Sequence, residues 1–294
     1  MARYPSRIVC LTEETTETLY LLGEGERVVG VSGYTVRPPE ARQKPKVSAF
    51  INARFDKIDA LRPDLILAFS DLQADIAGEL IRRGYPVFTF NQRSVDGILQ
   101  MIRVVGGLVG RADAGDALAS RLERGLDAIA GRPWRDAIAT RPKSAEAAKG
   151  RRRPRVFFEE WDAPLISGIR WVEELVEIAG GEPIFPELRN AGLAKQRIVD
   201  PAEVARRAPD IIVASWCGKP VKKDAITGRA GWRDIPAVRN GHVYEVKSSI
   251  ILQPGPAALT DGIRALQQII LRVARSAVRR HPGHPPSHSP RSTP

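Results

Sequence analysis

"RPDLILAFSD" spans Arg62 to Asp71, and "APDIIVASWC" spans Ala208 to Cys217, 146 positions further on. Both open on Pro-Asp, continue through an apolar run and break at a small polar residue. A helix-like stretch precedes each, "FDKIDAL" (Phe55 to Leu61) and "PAEVARR" (Pro201 to Arg207). Proline ends a helix because it lacks the N–H and restricts the residue before it. A short apolar run after such a break has the length of a buried strand. The doubled phrase therefore predicts helix, turn and strand twice over, in two similar βα units.

Outward from the first copy, strands alternate with helices. "RIVCL" (Arg7 to Leu11) and "RVVGVS" (Arg27 to Ser32) read as strands around a helix that Thr12 or Thr15 can cap and Gly23 and Gly25 stop. "ADIAGELIRRG" reads as a helix and "PVFTF" (Pro86 to Phe90) as a strand. Such alternation predicts a parallel sheet with helices on both faces. From Ser94 the pattern is helical: Ile98, Ile102, Val105 and Val109, then Leu118, Leu122, Leu126 and Ile129, recur at three- and four-residue spacing. The second stretch, Asp113 to Ala130, is about 27 Å long as a helix, enough to bridge two lobes. Beyond it, "RVFFEEW" (Arg155 to Trp161), "WVEELVEIAGGEPIF" and "GHVYEV" (Gly241 to Val246) repeat the first plan, and a helix is expected from Pro256 to Arg275.

These readings divide the chain into an N-terminal lobe (1–93), a bridging helical segment (94–130), a basic low-complexity linker (131–154), a C-terminal lobe (155–275) and a disordered tail (276–294). Ligands of open parallel sheets sit at the carboxyl ends of the strands. Two facing lobes would place Phe69, Ser70, Ser215 and Trp216 at the rims of one cleft.

The net charge of +11 raises nucleic acid as a partner. Gly131 to Arg155 carries nine Lys/Arg against two acids, and the chain from Arg272 carries five Arg and no acid, which leaves the remaining body at −1. The basicity belongs to a linker and a tail, so no nucleic-acid face is expected. No apolar run reaches membrane-spanning length. "MARYPS" leads into "RIVCL" with no leader pattern, so a cytoplasmic protein is expected as written, and a periplasmic one if translation starts upstream. Cys10 and Cys217 read as buried thiols.

The phrases "RIVCLTEETTETLYLLGEGERVVGVSGY", "KPKVSAFINARFDKIDALRPDLILA", "WVEELVEIAGGEPIF", "RIVDPAEVARRAPDIIVAS" and "GWRDIPAVRNGHVYEV" occur in this order. Together they resemble the class III substrate-binding proteins of ABC importers, the cobalamin- and siderophore-binding group, over about Arg7 to Ala274. The resemblance implies two Rossmann-like lobes bridged by one rigid helix, an α/β fold with the ligand in the interlobe cleft. "FFEEWDAPLISGIRWVEELVEIAGG" looks most like the cobalamin-binding branch. It implies non-covalent capture of a corrinoid by a monomer, with no resident cofactor or metal. Tyr34, Phe50 and Phe69 match positions where the vitamin's binder presents aromatic residues, and Trp161 matches a fourth across a one-residue gap. Trp216, at the second strand end, completes the expected aromatic set. A broad, largely apolar macrocycle gains most from such flat walls. Ferric siderophores or haem form the alternative, which Arg37, Arg54 and Lys219 keep open.

Trp171 and Trp232 read as structural. The resemblance also implies one exposed glutamate per lobe for docking on the permease. Those positions fall near Ala74 and Ala202, leaving Asp71, Asp75 and Glu203 as displaced candidates. No catalytic motif is present: G-x-S-x-G, H-E-x-x-H and the P-loop are all missing. "EEWD" puts Glu160 and Asp162 on one face of an extended chain, the acid/base pair of an alternative in which the chain modifies a corrinoid or tetrapyrrole side chain. His281, His284 and His288 lie in the tail, and His242 opens a strand.

Overall fold

A computed structural model of the chain describes residues 3–131 and 152–280. Most of the basic linker and most of the tail, with His281, His284 and His288, lie outside the described residues; the first tail positions, up to Arg280, are helical rather than disordered. The first half runs β1 (Ile8–Cys10), α1 (Glu13–Leu21), β2 (Val28–Ser32), β3 (Lys46–Ala49), β4 (Asn52–Ala53), α2 (Phe55–Leu61), β5 (Leu65–Phe69), α3 (Ala74–Arg82) and β6 (Val87–Phe90). Its sheet has the order β4-β3-β2-β1-β5-β6, parallel except for the β3–β4 pair. Two helices follow, α4 (Val95–Leu108) and α5 (Ala112–Ala130).

The second half begins with the long β7 (Arg155–Asp162), β8 (Leu165–Ser167), α6 (Arg170–Ile178), β9 (Glu182–Pro183), α7 (Pro201–Arg207) and β10 (Ile211–Ala214). It ends with α8 (Lys223–Thr227), α9 (Pro236–Arg239), β11 (Val243–Glu245), α10 (Ser248–Ile251) and α11 (Ile263–Arg280). β7 pairs along one edge with β10, which pairs in parallel with β11; β9 and the antiparallel β8 share its other edge.

The doubled phrase has a shared physical reason. Arg62 (φ 46°) and Ala208 (φ 47°) end their helices in the left-handed region, which turns the chain into the proline. The aspartate after each proline then staples the opening of the neighbouring central strand. Asp64 accepts the Arg7 N–H at 2.8 Å and returns its own N–H to the Arg7 carbonyl at 2.9 Å. Asp210 does the same with Arg155, accepting at 2.8 Å and donating at 2.8 Å. Three hydrogen bonds from Ser6 and Arg7 outweigh desolvation and hold the Asp64 carboxyl below its usual range.

Alternation along the strands fills both faces of each sheet. Ile8 and Cys10 point to one side and Val9 to the other; Phe158 and Phe157 divide in the same way. The inner sides share one core, in which Phe69 of β5, Leu118 and Leu122 of α5, Phe158 of β7 and Trp171 of α6 belong to a single buried cluster. Outer clusters, Val9 with Ile66 and Leu80, and Phe157 with Ile212 and Trp232, cover the far faces. The α4–α5 hairpin supports this core at close backbone contact, since a Cβ on Gly106 would stand 2.9 Å from Gly115 Cα.

Direct bonds also join the lobes. Glu17 of α1 accepts the Ala257 N–H at 3.0 Å, and Arg37 bridges Glu17 and Asp261, each at 3.0 Å. Gln92 donates to the Pro254 carbonyl at 3.1 Å, and Glu174 of α6 accepts the Val95 N–H at 2.7 Å. The expected last helix is interrupted: Ala258–Gly262 form a π-helical turn before α11, which runs on to Arg280. The Gly262 backbone lies against the Ile250 carbonyl, where no side chain fits, so the chain widens its turn there.

Asp64→Ala and Asp210→Ala are each expected to lower stability by about 1–2 kcal/mol, as lost charge-assisted bonds at partly solvated sites. Urea unfolding followed by circular dichroism checks this. Midpoints within error of the wild type would mean that the staple carries no stability.

Candidate functional site

The loops at the carboxyl ends of both parallel sheets approach each other where the lobes face, with Tyr34 after β2 beside Gly218 after β10 across the interlobe gap. On the first lobe, Ser32 closes β2 and donates to Glu13 Oε1 at 2.9 Å, and Tyr34 follows on the exposed loop. The Tyr34 ring reaches across to the second lobe, where it stands 3.8 Å from the place a Cβ on Gly218 would take. Phe50 forms the turn between β3 and β4 at φ 52°, a strained backbone for a bulky residue. Gln73, fully buried, holds it there: its Nε2 donates to the Phe50 carbonyl at 2.6 Å, and its Oε1 accepts the Phe69 N–H at 2.9 Å. One side chain thus fixes two of the aromatic positions. The Phe69 ring is 4% exposed and lies in the shared core, with the Arg93 guanidinium 5.4 Å above it.

On the second lobe the register of β7 against β8 shifts between Glu159 and Trp161. Such a shift adds a residue to one strand and re-aims the side chains around it. Glu159, with no exposure, takes both arms of Arg229 at 2.6 and 2.8 Å and the Trp216 Nε1–H at 3.1 Å. Burial pushes its carboxyl up, against the pull of Arg229. Glu160 takes both arms of the buried Arg197 at 2.6 and 3.0 Å. Trp161 stays half-buried, its Nε1 donating to the Ala163 carbonyl at 3.0 Å. Lys219 bonds Asp162 at 2.5 Å with its ammonium over the Trp161 and Trp216 rings, 4.0 and 4.9 Å from their centroids.

Tyr34 is exposed and Phe50 and Trp161 are half-buried against the cores of their lobes, while Phe69 and Trp216 are buried under Arg93 and Lys219. Arg54 is exposed, and Arg37 is engaged between Glu17 and Asp261. Cys10 is buried, whereas Cys217 is exposed on the loop after β10, a correction to its reading as a buried thiol. Partial desolvation, then Glu13 and Glu160, one from each lobe, hold the Cys217 thiol above its usual range. Trp171 and Trp232 are structural, donating to the Ile251 and Pro201 carbonyls at 3.0 Å each. His242 precedes β11 at the end away from the gap. Of the displaced docking candidates, Asp71 bonds Arg93 at 2.8 Å and Glu203 is held by Arg206 and Arg207 at 2.6 Å, while Asp75 is exposed.

Gln73, Arg93, Arg197 and Arg229 were not anticipated from sequence. Their partners lie 4 to 70 positions away, with no local pattern to announce them. Behind the gap, α1 buries Glu14 and α6 buries Glu173. Burial raises both carboxyls to about 8, with neighbouring Glu13 adding to the shift at Glu14. Among the described residues no three His, Cys, Asp or Glu side chains could hold a metal ion, and no helix is long and apolar enough to cross a membrane.

The family described as "Periplasmic binding protein" matches residues 8–250. A vitamin B12-binding protein of Vibrio campbellii (strain ATCC BAA-1116) is 26% identical over 255 residues, covering 84% of this chain and 83% of its own length. An uncharacterized ABC transporter substrate-binding lipoprotein of Bacillus subtilis (strain 168) is 28% identical over 278 residues, 90% of this chain and 80% of its own. The periplasmic heme-binding protein of Roseiflexus sp. RS-1, in its apo form, superposes with a TM-score of 0.71 at 23% identity, covering 93% of this chain and 99% of that one. This last likeness is one of fold.

Glu14 and Glu173 bind a proton more tightly folded than unfolded. Their contribution to stability is complete below the ordinary carboxyl range and is lost as pH rises toward about 8. The thermal midpoint is therefore expected to fall between about pH 5 and about pH 8, and the double variant Glu14→Gln, Glu173→Gln to flatten the fall, gaining about 1–3 kcal/mol at the upper end. Scanning calorimetry across that range checks it. An unchanged slope in the double variant contradicts the assignment.

Proposed function

This chain belongs to the periplasmic binding protein family, and on that footing we propose that it captures a corrinoid between its two lobes for delivery to an ABC importer. The family and its neighbours are solute-binding proteins, so the chain is a substrate-binding protein of the ABC-importer type and not an enzyme. Glu160 and Asp162 accordingly serve as ion-pair partners of Arg197 and Lys219.

The observation that carries the corrinoid reading is the electrostatic balance at the gap. Arg197 and Arg229 are each held through two bonds by Glu160 and Glu159, and Arg93 and Lys219 by one bond each to the more exposed Asp71 and Asp162. A polyanionic ferric siderophore would have to break the two buried bidentate pairs to gain a cluster of cations, which leaves uncompensated carboxylates behind. A bulky guest with an apolar face and amide fringes needs no such exchange. It gains from the rings of Tyr34, Phe50 and Trp161, of which the Phe50 turn is held by Gln73 and the Trp161 indole by the Ala163 carbonyl. The similarity to a vitamin B12-binding protein over most of both chains supports the same reading.

Haem is the second reading. Tyr34 offers an exposed phenol oxygen at the rim, a group able to ligate ferric iron. Incubation with each ligand separates the two: retained corrinoid absorption bands and no shifted haem band are expected after gel filtration.

Isothermal titration with cyanocobalamin, haemin and a ferric hydroxamate is expected to show binding of cyanocobalamin alone. Phe50→Ala and Trp161→Ala should each weaken it by about 1–3 kcal/mol, the usual cost of truncating an aromatic anchor. Undiminished affinity in both variants would remove these residues from the site while leaving the family untouched.

A further inference from the structure

Lys219 stands where a flat guest would stack. Its ammonium lies 4.0 Å from the Trp161 ring centroid and 4.9 Å from that of Trp216. It follows Gly218, which takes φ 75° directly across from Tyr34, so it belongs to a point where the lobes approach each other. The indole beside it is fixed, because Trp161 Nε1 is tied to the Ala163 carbonyl.

The other cations of the second lobe are built in differently. Arg229 holds the wholly buried Glu159 through two bonds, and Arg197, 1% exposed, holds Glu160 through two more. Lys219 has one bond, to Asp162, and its side chain is 38% exposed. A single exposed ion pair is weak, and so is a solvated cation–π contact. A lysine ammonium on a flexible stem, unlike a forked guanidinium, gives up such a partner at small cost. A macrocycle stacking on Trp161 must clear the ammonium from the ring. Once cleared, the ammonium remains at the mouth of the site, a short side-chain rotation from where it stood.

We infer that Lys219 is a specificity residue that reads an anionic arm on the guest, exchanging Asp162 and the indole faces for a phosphate oxygen of the ligand. This rests on the corrinoid reading and narrows it to corrinoids that carry a phosphate-bridged nucleotide arm. A charge-assisted bond to phosphate is stronger than the exposed pair it replaces, so the exchange favours such ligands over arm-less ones.

The test is isothermal titration of the full chain and of Lys219→Met and Lys219→Arg, with cyanocobalamin and with dicyanocobinamide, which lacks the phosphate arm. The wild type is expected to prefer cyanocobalamin by about tenfold or more, the worth of one charge-assisted hydrogen bond. Lys219→Met should bind cyanocobalamin about tenfold more weakly and dicyanocobinamide more tightly, since the ring is vacated without any phosphate partner being needed. Lys219→Arg should retain the preference. If Lys219→Met moves both ligands equally, or leaves the preference intact, the assignment of Lys219 is overturned while corrinoid capture stands. If the wild type binds neither ligand, the corrinoid reading falls and this inference falls with it.

Discussion

The join centred on Glu17, which accepts the Ala257 N–H, fixes with the shared core how the two lobes sit, and the geometry of the gap depends on it. A buried polar helix face makes this join possible. Thr12, Thr15, Thr16 and Thr18 of the α1 region are buried with Glu13, Glu14 and Glu17, and their hydroxyls find acceptors within the helix or in Glu14. Gly255 then lies so close to Glu14 that no Cβ could stand between them. Arg37 closes the contact by gripping Glu17 and Asp261 together. A surface so thoroughly paired has few ways to open, because each broken bond leaves a buried polar group without water.

A fixed gap changes what the binding residues must do. They cannot rely on closing around a guest, so their surfaces must already be in place. The structure meets this with fixed supports beneath its loops. Gln73 holds the strained Phe50 turn and the end of β5 at once. Glu159 reaches inward to Arg229 and Trp216, while Trp161 stays half-buried with its Nε1 tied to the Ala163 carbonyl. The cost is titratable carboxyls buried behind the site, Glu14 and Glu173, which burial drives up to about 8 so that they keep their protons. Ligand preference then falls to the few groups that are not locked, Lys219 foremost.

The repeat was legible because it is local: helix, proline, aspartate and an apolar run occupy consecutive positions, and the Asp64 and Asp210 staples explain why both copies keep the same order. Periodicity likewise revealed α4 and α5, whose buried faces recur at helical spacing. What stayed hidden was long-range. Nothing near Glu160 announces Arg197, and nothing near Glu159 announces Arg229, 70 positions away. The register shift in β7 depends on its pairing with β8, which no local pattern announces. Strand ends also conceal depth: Phe69 and Trp216 follow the same pattern as exposed rim residues, yet each packs under a cation and into a core.

Hydrogen–deuterium exchange with and without saturating cyanocobalamin tests the central claim most directly. The account predicts slower exchange in the loops after β2, β3 and β10, around Tyr34, Phe50 and Lys219. Exchange in α1 and in the segment around Ala257 should stay as it was, because the join between the lobes is already made. Protection that spreads through α1 and that segment, or that spares those three loops, would contradict a preformed gap that holds its guest by its rims.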